Sequence, residues 1–173
     1  AHAGFLILAL AAWSPETAVS QGSIKTVSFY LATYLLMTLG VFFVLAQVRI
    51  QRDGEMINDF NSLGKTNPQL ALALTVLLAA LAGVPLTAGF FGKFLVFKLA
   101  VEAKLWVGVG IAFISAAAGF YYYFKVIRAM WWSDAADAKA IVLPAISKLC
   151  IAVLTIATLV LGIWPQPIWA LLK

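Results

Sequence analysis

From Gln69 to Val101 the chain is apolar apart from two threonines, Gln69 itself and two lysines, yet it carries Pro85-Leu86-Thr87-Ala88-Gly89-Phe90-Phe91-Gly92-Lys93-Phe94 near its centre. An unbroken helix of that length would reach roughly 50 Å, against about 30 Å of bilayer hydrocarbon. Residues 69–84 and 88–101 are each too short to cross alone. The stretch therefore reads as one discontinuous crossing, 69–101, interrupted between about Val84 and Gly92. Pro85 has no N–H to donate and clashes with a continuing helix, and Gly89 and Gly92 relax the backbone beyond it. A lysine beside such a break is the local chemistry of an ion or proton path, because an ammonium in hydrocarbon is costly and broken backbone is tolerated only where it lines a cavity or is buried in protein.

The rest of the chain sets the class. Hydrophobic residues make up 64% and charged residues 11% of it, which excludes a soluble domain and implies an all-α, polytopic transmembrane helix bundle. The net charge of +5 comes from lysines and arginines between the apolar runs. No basic run or basic helical face is present, so a nucleic-acid partner is excluded and the bilayer is the expected surroundings. Cys150 is the only cysteine, which rules out an intrachain disulfide and any cysteine-built metal or iron–sulfur site.

Five apolar segments are expected: the end of a helix over 1–12, a helix over 27–48, the broken helix 69–101, a helix over 105–131 and a helix over 146–172, together forming a single transmembrane domain. The first is about 18 Å long as a helix and lacks a starting methionine and a basic n-region. It reads as the second half of a helix begun upstream, in a fragment of a longer polypeptide. Arg49, Arg52, Lys65, Lys125, Arg128, Lys139 and Lys148 fall at one end of the alternating spans and Lys25, Lys98, Lys104 and Lys173 at the other. The positive-inside rule places the first group in the cytoplasm.

The segment Gly83-Val84-Pro85-Leu86-Thr87-Ala88-Gly89-Phe90-Phe91-Gly92-Lys93-Phe94 resembles the broken-helix motif of the antiporter-like subunits of proton-pumping NADH:quinone oxidoreductase, respiratory complex I. Ala1-His2-Ala3-Gly4-Phe5 is similar to the histidine-bearing helix before it, Gly119-Phe120-Tyr121-Tyr122-Tyr123-Phe124-Lys125-Val126 to the aromatic end of the next helix, and Gly162-Ile163-Trp164-Pro165-Gln166-Pro167 to the closing segment. Together they point to the N-type subunit, called subunit 2 in mitochondria. The resemblance implies most of one five-helix inverted repeat plus a C-terminal helix. It also implies other membrane-arm subunits as partners, sister antiporter-like subunits among them. NADH, quinone, FMN and iron–sulfur clusters would then belong to other subunits, with no cofactor and no metal in this chain. A bacterial inner membrane is the expected location, with the mitochondrial inner membrane as the alternative.

The proton-relay candidates are Lys93, His2 and Lys125. Lys93 lies about 12 Å from the end of its half-helix, too deep to snorkel readily, and a neutral amine and an ammonium can exchange there with a small electrostatic change. His2 titrates near neutrality and both donates and accepts, although it can equally pack against a neighbouring helix. Lys125 follows three tyrosines, where an interfacial anchor and a proton exit are both reasonable. Lys98 and Glu102 read as interfacial or turn charges, and Trp131, Trp132, Trp164 and Trp169 as interfacial anchors. The functional expectation is a membrane-arm subunit that conducts protons through a lysine, histidine and water relay, driven by redox chemistry elsewhere. A subunit of a multisubunit cation/proton antiporter and a purely structural bundle are the alternatives.

Overall fold

The computed structural model describes residues 2–13, 19–54, 56–135 and 138–166. Seven helices account for most of them: α1 (His2–Ala11), α2 (Val19–Arg52), α3 (Leu63–Thr66), α4 (Pro68–Ala82), α5 (Ala88–Glu102), α6 (Trp106–Trp132) and α7 (Ala145–Ile163), with a 3-10 turn at Ile57–Phe60. There is no strand among the described residues. Three helices, within α2, α6 and α7, are long and apolar enough to cross a membrane.

Two helices differ in extent from the sequence expectation. The second helix begins at Val19 and ends at Arg52, not 27–48, because polar residues in its first turns and the charged ones in its last continue the helix past the hydrocarbon, where hydropathy no longer marks it. The last helix stops at Ile163 instead of continuing through 172. Pro165 cannot donate to it and pushes Trp164 out of helical geometry, to φ −131° and ψ 83°. Residues 167–172, and Trp169 with them, lie outside the described residues.

The 34-residue α2 is the ruler against which the broken crossing is measured. Gly22 faces Leu99, Tyr30 lies against Gly92, Met37 meets Gly89, and Gly40 faces Leu77. Farther along, Val44 and Val48 share a buried cluster with Leu70, Leu74 and Leu78. Along α2 the partners thus run down α5 and then down α4 in one antiparallel register. The two half-helices follow one another across the membrane as a single crossing instead of lying as a hairpin. Glycine at 22 and 40 on α2, and at 89 and 92 on α5, lets these helices approach closely, so packing rather than helix propensity sets the architecture.

Beyond α2's last turn, the 53–67 and 133–144 loops are tied together. Arg52 donates to the carbonyls of Lys139 (3.1 Å), Asp59 (2.7 Å) and Asn61 (2.9 Å) and to the Thr66 hydroxyl (2.9 Å). The Gln51 amide pairs with both backbone groups of Val142 at 3.0 and 2.7 Å, and the Asn67 amide does the same at Ile141 at 2.8 and 2.7 Å. Ser62 N–H donates to the Ser133 carbonyl at 2.9 Å, and Lys65 pairs with Asp134. Trp131, expected as an interfacial anchor, instead packs on Gly64 and donates from Nε1 to Thr75 at 2.9 Å. Trp132 and Trp164 are exposed.

With the two loops bonded to each other, cysteines introduced at Lys65 and Lys139 should be labelled from the same side of the membrane, and a cysteine at Lys104 from the other. Labelling of intact cells with an impermeant maleimide checks this. Equal reactivity of Lys65 and Lys104 positions would overturn the topology.

Candidate functional site

The break begins with a helix terminus of the Schellman type. Gly83 takes the left-handed conformation, φ 94° and ψ 39°, its N–H reaching the Ala80 carbonyl and the next N–H, of Val84, the Ala79 carbonyl, both at 3.0 Å. That pattern consumes the carbonyls of Ala79 and Ala80 and leaves those of Leu81 and Ala82 without helical partners. Lys93, on the facing side of α5, supplies them: Nζ donates to the Leu81 carbonyl at 2.9 Å and to the Ala82 carbonyl at 2.8 Å. The ammonium sits at the negative end of the α4 dipole. It is 8% exposed, and the Phe5 ring lies 5.4 Å from Nζ. Among the described residues no carboxylate pairs with it.

Between the half-helices the chain turns through Pro85 and Leu86, whose φ of +70° is unusual for a branched residue. Thr87 closes the turn by donating from Oγ1 to the Val84 carbonyl at 2.6 Å, and α5 begins at Ala88. Gly89 and Gly92 were expected inside the break. They lie instead within the first turns of α5, and their value is proximity. A Cβ at Gly89 would collide with the Ala80 carbonyl oxygen, and one at Gly92 would meet the Tyr30 ring at 3.1 Å. The conformational work of the break falls to Gly83, Pro85 and Leu86. Gly162 of α7 abuts the Leu86–Thr87 backbone on the other side, where no Cβ fits.

His2, at the start of α1, is the hub of a second polar group. Its Nδ1 lies 2.9 Å from the Tyr30 hydroxyl and its Nε2 3.1 Å from the Tyr123 hydroxyl. The Tyr34 ring stacks on the imidazole at 4.6 Å. Phe5, one helical turn on, links the two groups: its ring centroid lies 5.4 Å from Lys93 Nζ, and it stacks with Tyr30 at 6.2 Å. Lys93, Tyr30, His2 and Tyr123 thus form a lateral row from the break in α4–α5, past α2 and α1, to α6.

Lys125 is not in that row. It is exposed on α6 and makes no hydrogen bond or ion pair among the described residues. Lys98 is also exposed and lies 3.8 Å from Glu102, one turn away. Sequence reasoning missed Tyr30 and Tyr34, and treated Tyr123 as part of an aromatic belt. The available signal was the i, i+4 spacing of two hydroxyl-bearing rings on an otherwise apolar span, beside an apolar segment with a lone histidine. No group of three or more His, Cys, Asp or Glu suited to a metal occurs among the described residues.

The sequence model of the NADH:quinone oxidoreductase/Mrp antiporter transmembrane family matches residues 1–119, which contain α1 to α5 and the start of α6. The chain belongs to that family. Within the NADH:quinone oxidoreductase/Mrp antiporter family it is 39% identical over 170 residues to NADH-quinone oxidoreductase subunit N 3 of Streptomyces griseus, covering 96% of this chain and 29% of that protein. Subunit N 1 of Solibacter usitatus is 35% identical over 169 residues, covering 95% and 33%. The chain thus spans about a third of the length of these relatives. Among solved structures, respiratory complex I from Thermus thermophilus with bound aureothin matches at a TM-score of 0.74 and 25% identity, covering 95% of this chain and 42% of that one. The Mrp complex of a Dietzia species matches at a TM-score of 0.81 and 16% identity, over 99% and 39%, and shares the fold. Family membership and the three apolar helices make this a multi-pass membrane protein.

Proposed function

We propose that this chain is the C-terminal third of an N-type membrane-arm subunit of proton-pumping NADH:quinone oxidoreductase, and that it carries protons along the row formed by Lys93, Tyr30, His2 and Tyr123. The observation that carries this reading is the pairing of a buried lysine that donates to two main-chain carbonyls with a histidine whose two nitrogens each meet a tyrosine hydroxyl. The N-subunit relatives at 35–39% identity support the assignment to that complex. The likeness to the Mrp complex is one of fold.

The chemistry follows from the groups. Carbonyls at a helix terminus stabilise an ammonium by dipoles alone, so Lys93 can release its proton without leaving a bare buried carboxylate behind. A tyrosine hydroxyl donates to one partner and accepts from another, so Tyr30 and Tyr123 accommodate either tautomer of His2. A tautomer exchange then moves a proton from the Tyr30 side to the Tyr123 side. Water would bridge from Lys93 to Tyr30 beside the Phe5 ring, which lies near both. The driving oxidation of NADH and reduction of quinone, with FMN and iron–sulfur clusters, take place in other subunits. Sister antiporter-like subunits lie alongside in the same membrane, a bacterial inner membrane.

Replacing Tyr123 by phenylalanine should keep the ring and remove one hydrogen bond at His2, slowing the transfer by up to about tenfold, the weight of roughly 1–1.5 kcal/mol. His2→Phe should lower proton uptake per NADH oxidised further still. Both are read in sealed vesicles carrying the assembled complex, with assembly checked on native gels. Wild-type pumping in an assembled His2→Phe complex would remove the histidine from the path, and sodium-dependent transport in the absence of NADH would favour the cation/proton antiporter reading.

A further inference from the structure

A cavity of about 640 Å³ at the surface of the bundle is a groove between α4 and α7 whose chemistry changes along its length. At the mouth, on the side of the Arg52 loop cluster, stand Asn67, Gln69 and Lys148. Toward the bilayer centre the walls are Leu72, Val76, Ile156 and Leu159. Among the described residues no acidic side chain lines it, and Lys148 is its one charge. The Asn67 amide is already engaged with Ile141, whereas the Lys148 ammonium and the Gln69 amide are exposed and have no hydrogen-bond partner among the described residues. The α4 helix also starts at this mouth, behind Pro68, and adds the positive end of its dipole.

We infer that this groove binds an anionic glycerophospholipid of the Arg52-side leaflet, with its phosphate against Lys148 and Gln69 and one acyl chain between α4 and α7. Charge complementarity selects the headgroup, since among the described residues a lone cation and a helix N-terminus face no anion in the groove. Depth selects the tail. From Lys148 to Leu159 the wall descends eleven residues, about 16 Å, which is close to half of the roughly 30 Å hydrocarbon and so to one leaflet. A protein helix laid in the same groove would bury Lys148 at its mouth unless it brought an acid, whereas a phosphate at that depth is already in the headgroup layer. Positive-inside orientation puts the mouth in the cytoplasmic leaflet, where anionic lipid is expected to gather near basic residues. The occupant would fill the space between α4 and α7 and so brace the helix whose last carbonyls hold Lys93. The proposal requires only that the chain spans a membrane and is independent of proton transfer.

The test uses the purified full-length complex in vesicles of phosphatidylcholine doped with phosphatidylglycerol that carries a photoreactive group in its acyl chain. Mass spectrometry should locate cross-links on α4 and α7 near Val76 and Ile156. Lys148→Gln should lower them about fivefold, the weight of one lysine near an anionic surface. Ala152→Phe, which places a ring in the exposed middle of the groove, should remove them while the complex still assembles. A phosphatidylcholine probe that labels these positions equally well, or labelling unchanged in Lys148→Gln, would overturn the proposal in favour of unselective annular lipid. Protein-to-protein cross-links from the groove in place of lipid adducts would overturn it in favour of a helix from a neighbouring polypeptide.

Discussion

Lys93→Ala is expected to cut proton pumping by the assembled complex and to slow NADH:quinone turnover with it, leaving residual activity where the proposed sister subunits offer other routes. Two effects are combined in that substitution and they can be separated. The structural one is the loss of both donors to the Leu81 and Ala82 carbonyls, about 1–3 kcal/mol for each buried acceptor left unpaired. The functional one is the loss of the only titratable group at the break among the described residues. Lys93→Arg restores donors to the carbonyls but keeps its proton at any accessible pH, so it should recover assembly and thermal stability without recovering pumping. Lys93→Gln, which can donate but not titrate, should behave in the same way. Normal pumping rate and stoichiometry in assembled Lys93→Ala would return this lysine to a purely structural role as a cap on α4.

How much of this was legible in the sequence differs between the crossing and the site. The all-helical membrane class and the discontinuity between α4 and α5 were legible, because length against bilayer thickness and a proline without an N–H are local constraints. So was the placing of Lys93 beside the break. The parts assigned to Gly89 and Gly92 were not, since a glycine that permits a turn and a glycine that permits contact look alike until the neighbouring helix is present. Gly83 was the residue that needed its freedom, at φ 94°, and it was hidden by lying before Pro85 instead of after it. The partners of His2 were invisible for a different reason. Tyr30 and Tyr123 are 28 and 121 residues away, and only the antiparallel register of α2 against α5, with α6 folded back beside them, brings the hydroxyls to the imidazole. Lys125, read from its place after three tyrosines as an interfacial anchor or a proton exit, is exposed on α6 and makes no hydrogen bond or ion pair among the described residues.

Gly89→Ala should be among the most damaging single-methyl changes in the chain, and its contrast with Gly110→Ala makes the expectation sharp. Gly110 has open space around the position of a Cβ, so alanine there should be neutral or stabilising by up to about 1 kcal/mol through helix propensity. At Gly89 the new methyl would overlap the Ala80 carbonyl oxygen and press on the Met37 sulfur at 3.3 Å. The carbonyl belongs to the backbone of α4 and cannot swing aside as a side chain would. One half-helix must therefore move against the other while α2 packs along both and Gly162 of α7 abuts the turn between them. Overpacking of this kind costs about 1–3 kcal/mol. Gly89 and Lys93 are four residues apart and face the same end of α4, so the movement also draws the ammonium away from the Leu81 and Ala82 carbonyls. Pumping should accordingly fall in complexes that still assemble, and the thermal midpoint of the subunit should drop as well. Wild-type pumping and stability in Gly89→Ala would mean that the two half-helices are not in contact at this point, and the carbonyl cradle of Lys93 would lose its geometric basis.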